Sequence, residues 1–142
     1  MDRTVLMTTI GGRDVAVPAE TISSVVELED AVRVPAAPSH VVGLAALRSQ
    51  VMTVIDTRAA LGIEAREYDE QAPVVSLDGH LFALRVDAVG DIAVVDDGQS
   101  AMPCDFGEQW QAVALGLVEQ DGRPAILLDV RALLGMDLQA AA

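Results

Sequence analysis

The sequence contains an internal repeat, which constrains the fold more than any other feature. Residues 41–63 align without gaps with residues 114–136 at an offset of 73 positions (Gly43 with Gly116, 116 − 43). Both copies end in the pattern D-x-R-A-x-L-G followed by an apolar residue. Chance can give two alanine-rich segments one shared dipeptide, but a shared seven-position pattern after similar apolar runs favours duplication. Because two copies are too few for a solenoid, the repeat predicts paired half-domains.

The upstream part of each unit supports the same interpretation. Residues 7–28 align with residues 74–95 at an offset of 67 positions (Gly12 with Gly79, 79 − 12), mainly through matching apolar and turn positions. The two offsets differ by six (73 − 67), so the second unit carries six additional residues. We expect them in the polar stretch 96–109, which we interpret as a loop.

Short runs of β-forming residues between tight-turn signals predict five strands in each unit. The predicted strands are residues 5–10, 14–17, 22–28, 41–47 and 51–55, then 74–77, 81–85, 91–95, 113–119 and 124–128. Asp56 and Asp129 are each placed to cap a short helix, over residues 57–61 and 130–134, by accepting from free N–H groups of its first turn. The pattern predicts a mainly β fold with two five-stranded barrels in a tandem pseudo-repeat. It leaves open whether strands are exchanged between them.

The run at residues 41–47, VVGLAAL, is apolar and nearly unbroken. A half-buried strand would alternate apolar and polar residues, so this run indicates burial on both faces or one apolar face offered to a partner. Arg48 follows it at a turn, and its counterpart is Asp121 (121 − 48 = 73). The repeat therefore does not require arginine there, and Arg48 is either an ordinary surface residue or an interface anchor at the rim of an apolar surface.

Composition limits the classes of function. A chain of 142 residues is about one domain. Its net charge of −13 disfavours nucleic acid and anionic lipid as partners, because phosphate binding needs clustered positive charge. The absence of lysine excludes Schiff-base chemistry. The apolar runs are shorter than the roughly 20 residues of a membrane helix. With no secretory leader and a single cysteine, a cytoplasmic protein without membrane insertion is expected.

Residue types that catalyse reactions or bind metals form no recognisable pattern. His40 and His80 are the two histidines and Cys104 is the one cysteine, and their spacing matches neither a metal site nor a catalytic motif. We therefore expect no enzymatic activity, no cofactor and no metal. What remains is a binding module that uses strand edges, apolar surface and arginine.

Residues 43–58, GLAALRSQVMTVIDTR, resemble the signature of the CheW-like family of chemotaxis coupling proteins. That signature reads roughly G-(V/I)-x-N-L-R-G-x-V-(L/I)-P-(V/I)-(V/I)-D-L-R. The matching residues are Gly43, Leu47, Arg48, Val51, Val54, Ile55, Asp56 and Arg58. Residues 14–27, 82–94 and 116–134 also resemble family segments, in the family's order, so the resemblance extends over almost the whole chain.

The resemblance implies one CheW-like domain over residues 1–142, built from two five-stranded SH3-like barrels. The subdomains would span about residues 5–63 and 72–136. The implied function is a non-enzymatic adaptor that couples the cytoplasmic tips of chemoreceptors (methyl-accepting chemotaxis proteins) to the regulatory domain of a CheA-type sensor histidine kinase. The implied location is the cytoplasm, at receptor arrays on the inner face of the membrane.

The resemblance also implies a receptor-binding groove between the barrels, beside strands 22–28 and 41–47, which we expect to lie side by side. Its residues would be Arg48, Ile22, Val25, Gly43 and Leu44. Contacts with the kinase would lie at barrel ends, with no residues assigned.

The sequence departs from the family pattern at several positions. Ala46, Ser49 and Thr53 replace the signature's asparagine, glycine and proline, Ser24 replaces a glutamate, and the last helix stops soon after Gly135. An alternative is therefore a divergent CheW-like domain that regulates another kinase or a response-regulator pathway. The near-absence of His, Lys and Cys argues against a third class, an enzyme or small-ligand barrel.

Overall fold

The structure is a computed structural model that describes residues 2–28, 35, 37, 40–47, 49–64, 66–96 and 106–141. Its strands are β1 (Asp2–Ile10), β2 (Arg13–Pro18), β3 (Ile22–Glu27), β4 (Val41–Leu47), β5 (Gln50–Asp56), β6 (Gln71–Leu77), β7 (His80–Arg85), β8 (Ala88–Asp96), β9 (Ala114–Gln120) and β10 (Arg123–Leu128). Its helices are α1 (Thr57–Ala60), α2 (Glu108–Val113) and α3 (Val130–Ala141), and a 3-10 turn, Ala19–Thr21, joins β2 to β3. None of the described helices is long and apolar enough to span a bilayer.

The strands form two five-stranded sheets, and each sheet combines strands from both repeat units. The first sheet has the order β8-β1-β2-β10-β9 and the second has the order β3-β6-β7-β5-β4. The hairpin β1–β2 therefore joins three strands of the second unit, and the hairpin β6–β7 joins three strands of the first. The exchange that the sequence pattern left open does occur. As a result, the subdomains expected at residues 5–63 and 72–136 do not coincide with the two sheets.

The strand pairing reproduces the sequence repeat. Val54 of β5 lies opposite Ala83 of β7 in a parallel pair, and Leu127 of β10 lies opposite Ala16 of β2 in another. The first offset relates Val54 to Leu127 (54 + 73 = 127), and the second relates Ala83 to Ala16 (83 − 67 = 16). The two sheets are therefore equivalent copies, as duplication predicts.

The core has three parts, because the central strands are buried on both faces. Val15 and Val17 of β2 contact a cluster shared by the two sheets, whereas Ala16 contacts a cluster inside the first sheet. In β5, Ile55 contacts the shared cluster and Val54 contacts a cluster inside the second sheet. Burying one such aliphatic side chain contributes about 1.5–3 kcal/mol. The shared cluster is thus the main contact that holds the sheets together.

Two predictions about the helices are wrong. The stretch 96–109 was expected to be a loop, but Glu108 and Gln109 begin α2, and Trp110 and Val113 of this helix are buried in the shared core. The last helix was expected to stop near Gly135, but α3 continues to Ala141. Its final residues include alanine, leucine and glutamine, which favour helix, and these extend it past the glycine.

The fold is mainly β with two five-stranded sheets, as predicted, but neither sheet is closed into a barrel by a hydrogen-bonded ladder in the described residues. In the first sheet the edge strands β8 and β9 approach each other without pairing. In the second sheet β3 and β4 are the two edges, separated in the pairing order by β6, β7 and β5. The expectation that strands 22–28 and 41–47 are neighbours is therefore wrong in terms of strand pairing.

Candidate interaction surface

The edge strand β4 presents one apolar face to solvent. Val42, Leu44 and Ala46 are exposed along it, at 37% and 39% for the first two, while Val41 and Ala45 pack against core clusters. The unbroken apolar run thus corresponds to the second of the two predicted alternatives. One face is buried, and the other is apolar and accessible.

A β-bulge at Gly43 places Val42 outside the ladder. Val41 pairs with Ile55 and Gly43 pairs with Val54, so Val42 has no partner opposite it. Gly43 is buried and has φ of +157°, a backbone conformation that favours glycine. An extra, unpaired residue is the defining property of a bulge, and such bulges redirect side chains. Gly43 therefore acts through the backbone, because across the bulge Val41 packs against the shared cluster and Ala45 packs against the cluster inside the second sheet.

The apolar face continues from β4 onto β5. Ala46 pairs with Val51, which is 63% exposed, and Leu44 pairs with Thr53. A groove of about 420 Å³ adjoins this face, and its lining residues are Gln50, Val51, Thr53, Gly79, His80 and Leu81. Arg48 lies between β4 and β5 in the sequence and outside the described residues. Ser49, the next residue, lies in a turn and has φ of +69°.

The predicted groove residues on β3 divide between core and surface. Ile22 packs against the shared core and is half-buried, whereas Val25 is 41% exposed. The structure therefore brings Gly43 and Leu44 together on one edge of the second sheet and places Ile22 and Val25 on its other edge. Of the predicted site residues that are described, Leu44 and Val25 are accessible to a partner.

Sequence reasoning missed two exposed apolar residues on β8. Ile92 is 67% exposed and Val94 is 60% exposed, on the edge strand of the first sheet. Ile92 is the repeat counterpart of Val25 (25 + 67 = 92). Applying the offset to each predicted site residue would have identified it.

The pattern D-x-R, which both copies of the repeat share, has a structural role in each copy. The carboxylates of Asp56 and Asp129 accept hydrogen bonds from the N–H groups of Ala59 (3.1 Å) and Ala132 (3.0 Å), which confirms the predicted helix caps. Asp56 also accepts a hydrogen bond from the hydroxyl of Tyr68. Burial, followed by this bond to Asp56, raises the pKa of Tyr68, which keeps the phenol protonated.

Arg58 forms a buried ion pair that connects the two sheets. Its Nε and Nη2 donate to the carboxylate of Asp87 at 2.7 and 2.8 Å, and its Nη1 donates to the Glu64 carbonyl at 3.1 Å. Asp87 lies where the chain passes from β7 to β8, and it also accepts from the Gly12 N–H at 3.0 Å. Burial alone would raise the pKa of Asp87, but the hydrogen bonds from Arg58 and Gly12 outweigh it and lower the pKa.

The two histidines lie in different environments. His40 is buried, and desolvation lowers its pKa despite the opposing charge of Asp56. His80 is exposed on the second sheet, and Cys104 lies outside the described residues. The described ranges hold no cluster of three or more potential metal ligands.

Comparisons with known proteins identify the family. The CheW-like domain model matches residues 4–137. The chemotaxis protein CheW of Rhizobium meliloti (strain 1021) is 25% identical over 136 residues, which cover 94% of this chain and 88% of that protein. The crystal structure of the scaffolding protein TtCheW from Thermoanaerobacter tengcongensis has the same fold, with a TM-score of 0.78 at 21% identity, covering 90% of this chain and 89% of that one. Because the family model spans most of the sequence, the chain belongs to the CheW-like domain family, whose members are scaffold proteins and not enzymes.

Proposed function

We propose that this chain is an adaptor that couples the cytoplasmic tips of chemoreceptors to the regulatory domain of a CheA-type histidine kinase. The proposal places it in the cytoplasm, at receptor arrays on the inner face of the membrane. Membership of the CheW-like family supports a scaffold role in chemotaxis. The assignment of the two partners is our inference.

The exposed apolar face of β4 is the observation that carries the proposal. Val42 and Leu44 lie on an edge strand, and Val51 extends the face onto β5. A helical segment binds such a surface through its own apolar stripe, and we take the receptor tip to be a helical hairpin. Val25 adds apolar surface on the other edge of the same sheet.

Arg48 is proposed as the charged anchor of this surface. It follows β4 directly in the sequence, and the family motif places an arginine at this position. A guanidinium at the rim can bind a carboxylate or the carbonyl groups at a helix C-terminus, where the helix dipole is negative. Ser24 replaces the glutamate that the family usually provides for this arginine.

Titration of purified variants against a receptor cytoplasmic fragment tests the proposal. Arg48→Glu should weaken binding by about 1–3 kcal/mol, the range for a charged interface anchor, with little change in Tm. Val42→Glu should also weaken binding, because it puts a charge on the apolar face. Leu115→Glu is the matched control, since Leu115 is the repeat counterpart of Val42 (42 + 73 = 115) and is 45% exposed on the first sheet. Equal affinities of Arg48→Glu, Val42→Glu and wild type would contradict the proposal.

The divergent-regulator alternative is supported by one feature of the same surface. Ala46 is exposed on β4 at the position where the family signature has asparagine. Losing that amide removes hydrogen-bonding capacity from the surface that a receptor would contact. If the receptor fragment does not bind while a histidine kinase from another pathway or a response regulator does, the alternative replaces the receptor adaptor.

A further inference from the structure

The four edge strands of the two sheets differ in the charges that they carry. These strands are β3 and β4 in the second sheet and β8 and β9 in the first. Glu27 lies on β3, Asp91 and Asp96 lie on β8, and Glu119 lies on β9, all of them exposed. The 7 residues of β4, VVGLAAL, include no charged side chain, although the whole chain has a net charge of −13. Charged residues on an edge strand hinder its pairing with another chain, and β4 lacks this protection.

The duplicate of β4 has the charge that β4 lacks. Glu119 of β9 is the repeat counterpart of Ala46 (119 − 73 = 46), and Gln120 is the counterpart of Leu47 (120 − 73 = 47). Ala46 and Glu119 are both exposed. The equivalent position therefore faces solvent in both sheets, but in β4 it has a methyl group in place of a carboxylate.

The outer edge of β4 is also more open than that of β9. In the first sheet β8 approaches β9, and no comparable approach of β3 to β4 occurs in the described residues. Within its sheet, β4 pairs with β5 alone. Along an antiparallel edge strand, the N–H and C=O groups of alternate residues point away from the neighbouring strand, which makes the edge a template for a further strand.

The second half of β4 has a regular geometry. Residues 44–47 pair with residues 50–53 of β5 without a register shift. Leu44 and Ala46 alternate on the exposed face, and Val51, which pairs with Ala46, is 63% exposed beside them. A bulge disrupts a ladder locally, but the bulge of β4 lies before this half. A further strand can therefore pair along residues 44–47 and cover an apolar face.

The absence of charge favours a second copy of the chain as that strand. In a two-fold symmetric contact a surface patch meets the same patch of its partner, so any charge on the patch meets a like charge. Like charges opposite each other on paired strands are destabilising. Since each copy has a net charge of −13, β4 is the edge strand at which two copies can pair with the least repulsion.

We propose that β4 pairs antiparallel with β4 of a second copy and joins the two second sheets edge to edge. A register centred on Ala45 places Leu44 opposite Ala46 of the second copy, and both lie on the exposed face. Val51 of each copy extends this apolar contact. The proposal goes beyond the adaptor function and does not depend on it. Because the same face is the proposed receptor surface, self-association and receptor binding exclude each other.

Sedimentation equilibrium of the full-length chain alone, over a wide range of concentrations, tests the proposal. Wild type should show a monomer–dimer equilibrium. Ala46→Glu should raise the dissociation constant of the dimer about tenfold, because it puts a carboxylate opposite Leu44 of the second copy. Ala112→Glu is the matched control, since it adds the same charge at an exposed position of α2 and should leave the constant nearly unchanged. A wild-type chain that stays monomeric, or equal weakening by both variants, would overturn the proposal.

Ala46→Lys separates pairing at β4 from the effect of the overall charge. This variant has one negative charge fewer in total, so it should weaken the dimer if β4 is the contact and strengthen it if only overall repulsion matters. Unchanged or tighter association of Ala46→Lys would therefore overturn the proposal.

Amide hydrogen exchange of wild type locates the contact. Protection of residues 44–47 should rise with protein concentration, because their outward N–H groups become hydrogen-bonded in the dimer. Protection of residues 114–120 on β9 should stay constant. A rise on β9 and none on β4 would assign the contact to another edge and overturn the proposal.

Discussion

Arg58 and Arg131 occupy the same position in the two copies of the repeat, yet their surroundings differ. The Arg58 side chain is 10% exposed and pairs with Asp87 at 2.7 Å. The Arg131 side chain is 66% exposed and pairs with Asp78 at 3.2 Å. The repeat counterpart of Asp87 is Glu20 (87 − 67 = 20), which lies 3.9 Å from Arg3 instead. Duplication has therefore preserved the arginine in both copies but a buried partner in only one.

The largest expected effect comes from removing each arginine in turn. Arg58→Ala should destabilise the fold by about 3 kcal/mol, because it leaves the Asp87 carboxylate buried without its ion pair. Arg131→Ala should cost less than about 1 kcal/mol, the usual value for an exposed pair. Urea unfolding of both variants measures the difference. Equal losses of unfolding free energy in the two variants would show that the burial of the Arg58 ion pair does not make it more stabilising than the exposed pair of Arg131.

The two helix caps should also differ. Asp129→Ala should cost about 1 kcal/mol through loss of the cap. Asp56→Ala should cost about 2 kcal/mol, because it also removes the acceptor of the Tyr68 hydroxyl. Tyr68→Phe in the Asp56→Ala background separates the two contributions, since it should add little further cost once the acceptor is gone. If Tyr68→Phe lowers the unfolding free energy as much in this background as in wild type, the Tyr68 hydroxyl does not stabilise the fold through Asp56.

A buried histidine in the first unit should make the stability of the folded chain depend on pH. His40 corresponds to the fully buried Val113 (40 + 73 = 113), and desolvation lowers the pKa of His40 in the folded chain. The unfolded chain therefore binds the proton more readily, so this stability is present above about pH 6.5 and is lost as pH falls through the folded pKa. The slope between those two values is at most about 1.4 kcal/mol per pH unit.

Urea unfolding at pH 7.5 and pH 5.5 tests this prediction. Wild type should lose more stability between the two values than His40→Val, which gives the first unit the residue of the second. Parallel losses would assign the pH dependence to other groups. The carboxylate of Asp87 contributes in a different window, because its pKa is lowered and its stabilisation is lost only as pH falls below about 4.

The smallest expected effect concerns the β4–β5 and β9–β10 turns. Ser49 and its counterpart Gly122 (49 + 73 = 122) have φ of +69° and +77°. Ser49→Gly should stabilise the fold by about 0.5 kcal/mol, because relief of the left-handed strain exceeds the entropy cost of glycine. Gly122→Ser should be destabilising by a similar amount. Thermal unfolding of both variants measures the change, and a lower Tm for Ser49→Gly would contradict the strain argument.

The repeat and the strand positions could be predicted from the sequence because they depend on local pattern. The exchange of hairpins could not be predicted. The strands that contain Val54 and Ala83 have the same apolar pattern whichever strands they pair with. The apolar pattern of a strand indicates whether one or both of its faces are buried, but it does not indicate which neighbouring element buries them. The helix α2 was missed for a related reason, because six residues are too few to show a helical period.

The exposure of Leu44 could be predicted from the unbroken apolar run, whereas the packing of Ile22 against the core could not. Without a bulge, Ile22 and Val26 would lie on the same face of β3. The register shift between Ile22 and Ser24 places Ile22 against the shared core and Val26 against the cluster inside the second sheet. Nothing in the residues ISSVVE indicates such a shift.

The exchanged hairpins also determine when the chain can fold during synthesis. The first sheet contains β1 and β2, yet β2 pairs with β10. The paired residues Val15 and Ile126 are 111 positions apart (126 − 15 = 111), so β10 is synthesised more than a hundred residues after β2. Domains generally fold as units, and an N-terminal domain can fold before the rest of the chain is made. Here the earliest hairpin must wait, with an unpaired strand edge, until almost the whole chain has emerged. Such long-range pairing slows folding, so a truncated or stalled chain exposes an edge that can pair with other strands.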